Sequence, residues 1–251
     1  MMADASALVA DVYAPDYIDI NFGCPVKKVV KRNGGSGCLR DLDLAARIIR
    51  AVDDATLLPT TVKIRSGFDE ASRDPVGIGL RCQDAGARAV CIHPRTRADM
   101  YSGQARWSEI QALVEALEVP VIGNGDIVCG EDARRMYDQT ACAGVMIARG
   151  SHGDPWIFSQ VRAALDGDPV PPAPGIVERF EICLEHARNA IEFESDRKRA
   201  IIDFRKHLGW YTKGLPDGRR LRTELFQVTS LEQVEELLKG YLSYHESSPI
   251  A

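Results

Sequence analysis

At 251 residues, 45% hydrophobic and 27% charged, the chain has the make-up of an ordinary globular protein, long enough for one barrel or two smaller domains. Its net charge of −5 excludes a generally cationic nucleic-acid binder, and no stretch supplies the ~18 consecutive apolar residues of a membrane span. Seven scattered cysteines with no Cys-x-x-Cys pair argue against a zinc site or other metal centre and against a disulfide framework, and point to a reducing cytoplasm.

Residues 3–13 are expected to form a helix, with Leu8, Val9 and Val12 on one apolar face. The segment carries acids and no long apolar run, so it does not read as a signal peptide. A short buried strand follows at 17–21. It runs into a loop rich in glycine, Gly34-Gly35-Ser36-Gly37, which lets the backbone approach a ligand closely. Between strand and loop sits Cys24, flanked by Gly23 and Pro25; proline fixes its own φ and pushes the residue before it towards extended geometry. From the residues alone, Cys24 reads equally well as a reactive thiol or as a buried structural cysteine.

Helices are expected at 42–52, 74–85, 107–117, 131–139 and 155–165, alternating with strands at 61–65, 89–93, 119–124 and 144–148. Short apolar strands alternating with amphipathic helices imply a parallel α/β sheet, and strand centres repeat at roughly the 30-residue period of a βα unit. Asn21, Cys24, Lys63, Arg65, His93, Asn124, Asp126 and Arg149 all fall at or just after strand C-terminal ends, where parallel sheets build their sites. A Pro/Gly-rich stretch at 167–175 reads as a linker, so the expected domains are 1–166 and 176–251. Helices at 176–191, 197–208 and 231–244 form the second. The charge is uneven: from Asp196 to Arg222 nine Lys or Arg stand against three Asp. A solvated basic face is the commoner reading of such a run; Arg197, Lys198, Arg199, Arg205, Lys206 and His207, with Trp210 and Tyr211, are also candidates for an RNA backbone, amphipathic helix packing being the rival reading for the two aromatics.

Asn21-Phe22-Gly23-Cys24-Pro25-Val26-Lys27-Lys28 followed by Gly35-Ser36-Gly37 resembles the active-site loop of the tRNA-dihydrouridine synthases, most closely the bacterial B-type branch. Val62-Lys63-Ile64-Arg65, Ile92-His93-Pro94-Arg95-Thr96-Arg97, Val121-Ile122-Gly123-Asn124-Gly125-Asp126-Ile127 and Met146-Ile147-Ala148-Arg149-Gly150 resemble further motifs of that family, in its order. The resemblance implies a partial (β/α)8 barrel with about five of eight strands, three βα units preceding Met1, and a C-terminal helical domain that grips tRNA. A sheet left open in this way exposes edges that invite self-association.

The activity so implied is reduction of the uridine C5–C6 bond in tRNA, with NADPH as reductant, a hydride from FMN to C6 and a proton from Cys24 to C5. Asn21 is expected to orient the base. Lys63 and His93 are expected at the flavin ring, and Asn124, Gly125, Asp126, Ala148 and Arg149 in the loops that hold its phosphate. Arg65, Arg197, Lys198 and Arg199 are expected at the substrate, although Arg65, Arg95 and Arg97 read equally as loop-holding residues. Cys24 must stay protonated to act as an acid, so Lys27 and Lys28 are expected to point away from it. Two rivals remain open: an FMN-dependent reductase of a free pyrimidine, and a non-catalytic RNA-binding remnant.

Overall fold

A computed structural model of the chain describes residues 1–247. The chain divides into two compact units: Met1–Ala148 with Val161–Pro169, and Arg149–Gln160 with the chain from Val170 onward.

The first unit carries α1 (Met2–Tyr13), β1 (Ile18–Asn21), α2 (Lys27–Val30), α3 (Leu42–Asp53), β2 (Thr60–Arg65), α4 (Pro75–Asp84), β3 (Ala89–His93), α5 (Trp107–Ala116), β4 (Val121–Asn124), α6 (Gly130–Thr140) and β5 (Gly144–Met146). Helix starts follow local chemistry. The Asp41 and Asp74 carboxylates accept from the Leu44 and Gly77 amides at 2.9 Å each, and Pro75 occupies the first turn of α4, where no amide proton is needed.

The five strands are all parallel and lie in the order β1-β2-β3-β4-β5. Right-handed crossovers between successive neighbours in one direction place every connecting helix on the same side of the sheet. The side chains agree. Ile20, Val62, Ile64, Val90, Ile92 and Val121 alternate along the strands and are all buried. A Cβ on Gly123 of the same face would meet Met136 of α6 at 2.6 Å and Ile110 of α5 at 3.4 Å. Ile49, Val52, Leu113 and Met136 complete this core with no exposure at all. Each such side chain contributes about 1.5–3 kcal/mol of hydrophobic stabilisation. The opposite face carries Asp19, Thr61, Lys63, Cys91 and Met146; Thr61 Oγ1 donates to Asp19 at 2.8 Å, and the Cys91 and Met146 sulfurs lie 3.6 Å apart.

The expected apolar face of α1 is corrected by the structure. Leu8, Val9 and Val12 are exposed, while the small face at Ala3, Ser6 and Ala10 turns inward and the helix packs on α3. Close approach between helices favours small side chains, and that requirement overrides the apolar spacing. The loop after β1 is more ordered than its glycines suggest: it holds α2 and a 3-10 turn at Gly35–Arg40.

Helix α7 (Ile157–Asp166) runs from one unit into the other. The second unit contains α8 (Ile176–Phe193), α9 (Arg197–Tyr211), α10 (Gly218–Leu225) and α11 (Leu231–Ser247) around a core that includes Phe180, Cys183, Ile201, Phe204, Leu208, Leu225 and Leu238. No helix among the described residues is long and apolar enough to cross a membrane.

Candidate active site

The loop carrying Cys24 is fixed at several points. Phe22 is buried, and its amide continues the sheet by donating to the Lys63 carbonyl at 2.8 Å. The Gly23 amide donates to Asn21 Oδ1 at 2.8 Å, and the Gly23 carbonyl accepts from Arg65 Nε at 2.9 Å. The Cys24 carbonyl accepts from both the amide and the hydroxyl of Ser36, at 3.1 and 2.8 Å. Gly35 has a φ of 52°, and a Cβ there would lie 2.8 Å from the Cys24 Cβ and the Cys24 carbonyl oxygen. The glycine loop therefore closes against the cysteine itself. The thiol is half-buried and bonds to no other group among the described residues. Asn21 is exposed, and Lys27 and Lys28 stand exposed on α2.

Beside this loop, Lys63 is paired in register with Asn21. Its ammonium donates to Asn124 Oδ1 at 2.9 Å, and the Asn124 amide donates onward to the Met146 carbonyl at 2.8 Å. Burial pulls the Lys63 pKa below the ordinary lysine range, with Arg65 adding to the effect, while Cys91 and Asp19 oppose it. One neutral oxygen is a poor match for an ammonium with three donors, so this strand end suits an anionic or electron-rich ligand.

The arginines divide by geometry. Arg65 is buried and donates to the Gly23, Thr96 and Met100 carbonyls at 2.9, 2.8 and 2.8 Å, holding the loops after β1 and β3 together. Arg95, also buried, forms a two-toothed ion pair with Asp126, each bond 2.8 Å, and contacts His93 Nε2 at 3.1 Å. Asp126 also accepts from the Ala105 amide at 2.7 Å. Gly125, at φ 128°, packs on the His93 ring: a Cβ there would fall 2.9 Å from His93 Cδ2. Gly125 and Asp126 thus answer internal demands of the loop. Arg97 lies over the Phe68 ring at 5.4 Å, with Arg40 at 5.0 Å over the same ring.

Ala148 ends the main segment of the first unit and is exposed. Arg149 belongs to the second unit and opens a 3-10 turn at Arg149–Ser151. Arg197, Lys198 and Arg199 form the exposed first turn of α9, capped by Asp196, which accepts from the Arg199 amide at 3.1 Å. Arg205 is spent on the Val228 and Gln227 carbonyls, and Tyr211 is buried. Within this unit a cavity of about 540 Å³ is lined by His152, His186, Lys206, His207 and Trp210, among others. His152 stacks on Trp210 with ring centroids 3.9 Å apart. Sequence reading missed His152 and His186, which carry no charge run or motif to mark them.

The first unit is thus a parallel α/β sheet with a fixed thiol, a half-buried ammonium and a locked imidazole at the C-terminal ends of its strands. The chain belongs to the dihydrouridine synthase (Dus) family, whose model matches residues 1–245. A probable tRNA-dihydrouridine synthase of Rhodobacter capsulatus is 39% identical over 98% of this chain and 75% of its own length. A protein of the same description from Mycobacterium leprae is 39% identical, covering 93% of this chain and 62% of its own. A probable tRNA-dihydrouridine synthase 1 of Synechocystis is 38% identical, covering 90% and 63%. The chain thus spans from under two thirds to three quarters of the length of these relatives.

Proposed function

We propose that this chain reduces uridine in tRNA to 5,6-dihydrouridine, using FMN and NADPH in the cytoplasm. The observation that carries the reading is the Lys63 ammonium, half-buried against a single neutral oxygen beside the loop that fixes Cys24. Such a cation fits the electron-rich edge of a flavin, and with His93 and Asn124 it would hold that group; Ala148 and Arg149 would serve its phosphate. When bound, the flavin supplies the hydride that arrives at C6. Cys24 gives its thiol proton to C5, a role typically worth ~10²–10⁴-fold in rate. Asn21, whose oxygen is held by the Gly23 amide, turns its exposed amide to the base and orients it. Arg65 serves the substrate by holding the loops around it. The sheet is read as five strands of a (β/α)8 barrel, and residues 176–251 as a helical tRNA-binding domain joined to it by 167–175.

The charge on α9 supports the RNA surface. Three cations in a helix's first turn oppose its dipole, at about 0.3–1 kcal/mol each, so their placement at Arg197, Lys198 and Arg199 serves something other than the helix. The names of the relatives agree with this reading of the substrate.

The test is turnover of an unmodified tRNA transcript by the purified chain with FMN and NADPH, with free uracil as a parallel substrate. Dihydrouridine in tRNA, lost in Cys24→Ala while the flavin spectrum is kept, is the expected result. Undiminished turnover in Cys24→Ala would remove the acid role. Reduction of uracil alone would point to a free-pyrimidine reductase.

A further inference from the structure

Arg95 has five N–H donors and no acceptor. All five are engaged. Nε donates to the Ser102 carbonyl at 3.0 Å; one terminal nitrogen donates to the Gly103 carbonyl at 2.6 Å and to Asp126 at 2.8 Å. The other donates to the second Asp126 oxygen at 2.8 Å and meets His93 Nε2 at 3.1 Å. With side-chain exposures of 3% for Arg95 and 32% for Asp126, this guanidinium has nothing left for a ligand. A guanidinium only donates, so His93 Nε2 must accept, and the ring's single proton sits on Nδ1. Nδ1 bonds to no protein group among the described residues. Gly125 packs against the Cδ2–Nε2 edge: a Cβ there would lie 2.9 Å from Cδ2 and 3.3 Å from Nε2.

We propose that Arg95 is a positioning residue, anchored by Asp126, that fixes His93 as a neutral imidazole with its proton on Nδ1. His93 then serves the pocket as a permanent hydrogen-bond donor to an oxygen or ring-nitrogen acceptor, not as a proton shuttle. The charges around it point the same way. Burial pushes the His93 pKa down to about 3, and the cations Arg65, Lys63 and Arg95 hold it there against Asp126. Tyr101 is the remaining titratable neighbour, its ring centre 6.3 Å from the imidazole. The acceptor's identity rests on the function proposed above; the tautomer does not.

The test is nitrogen NMR of histidine-labelled protein without flavin or RNA, His93 being assigned by its loss in His93→Gln. A one-bond proton coupling on Nδ1, none on Nε2, and no titration down to about pH 5 are expected. In Arg95→Gln the Nε2 resonance should shift towards a mixed tautomer and the ring should titrate closer to pH 6.5. Arg95→Lys, which keeps a donor at this point, should restore the Nδ1 form. If Arg95→Gln does not fold, Asp126→Asn answers the same question by loosening the anchor. A wild-type ring protonated on Nε2, or titrating in the ordinary range, overturns the assignment. That outcome leaves tRNA reduction untouched, just as an inactive chain would leave the tautomer untouched.

Discussion

Gly35 and Lys63 show how individual positions are set by the site. A methyl at Gly35 would need both a left-handed backbone and space already taken by Cys24. Gly35→Ala is expected to cost about 1–3 kcal/mol in a denaturant titration and to displace the thiol. Lys63 carries the opposite signature, being held at a cost. Its folded pKa lies below the ordinary value, so the unfolded chain binds that proton more tightly, and stability rises with pH through the interval between the two. Lys63→Met should abolish that slope and leave the protein as stable as the parent or up to about 1 kcal/mol more so. Flavin affinity, measured by fluorescence quenching, should drop at least ~10-fold. A variant that loses stability and keeps its flavin would reverse the assignment.

Loops and helices are tied by charge as well as by packing. Arg73 pairs with Glu70 at 2.7 Å, Asp99 at 2.7 Å and Glu109 at 2.9 Å, while Ser66 donates to the other Glu109 oxygen. This cluster joins the loops after β2 and β3 to α5. Because the Arg73 and Glu109 side chains are only 10% and 13% exposed, Arg73→Leu should cost on the order of 3 kcal/mol by chemical denaturation. In the second unit, burial brings His207 down to about 4, with His186, Lys206 and His152 pressing the same way. Between about 6.5 and about 4 the unfolded chain takes up the proton more readily, so stability falls as pH falls through that window. His207→Gln should flatten the decline; an unchanged slope would place the titrating group elsewhere. Elements with a clear hydrophobic period were readable in advance: β3 has the expected bounds, and α3 and α9 begin at the expected residues, where the structure adds the Asp41 and Asp196 caps. Helix α10 was not, since Leu221 and Leu225 alone mark its buried side among arginines. The fivefold engagement of Arg95 was equally hidden, because its partner Asp126 lies 31 residues away and only tertiary structure brings them together.

At the scale of the chain, the basic segment from Asp196 to Arg222 stands at +6 against −11 for the remainder. Binding of tRNA is therefore expected to weaken steeply with salt. Reversing Arg197, Lys198 and Arg199 to glutamate should reduce the slope of log affinity against log salt by roughly 0.7–0.9 for each phosphate no longer neutralised. Unchanged binding would move the RNA surface away from α9. Among the described residues, β1 and β5 each pair with one neighbour only, and Tyr17, Leu8 and Val12 are exposed near β1 in sequence. Sedimentation across a concentration series should show self-association, and Tyr17→Lys with Val12→Lys should suppress it.

The alternation along the strands has one more consequence. The rows under the helices, at Val62, Ile64, Val90 and Ile92, are fully buried, while those at Thr61, Lys63, Asn124 and Met146 hold the polar and sulfur contacts of the other face. Foldedness and chemistry are thus written on alternate letters of the same three-to-six-residue words. Random libraries at Thr61, Lys63 and Met146 should yield mostly folded, chemically altered proteins, and libraries at Val62, Ile64 and Ile92 mostly unfolded ones. A scaffold divided in this way can drift in substrate or cofactor preference without first surrendering its fold.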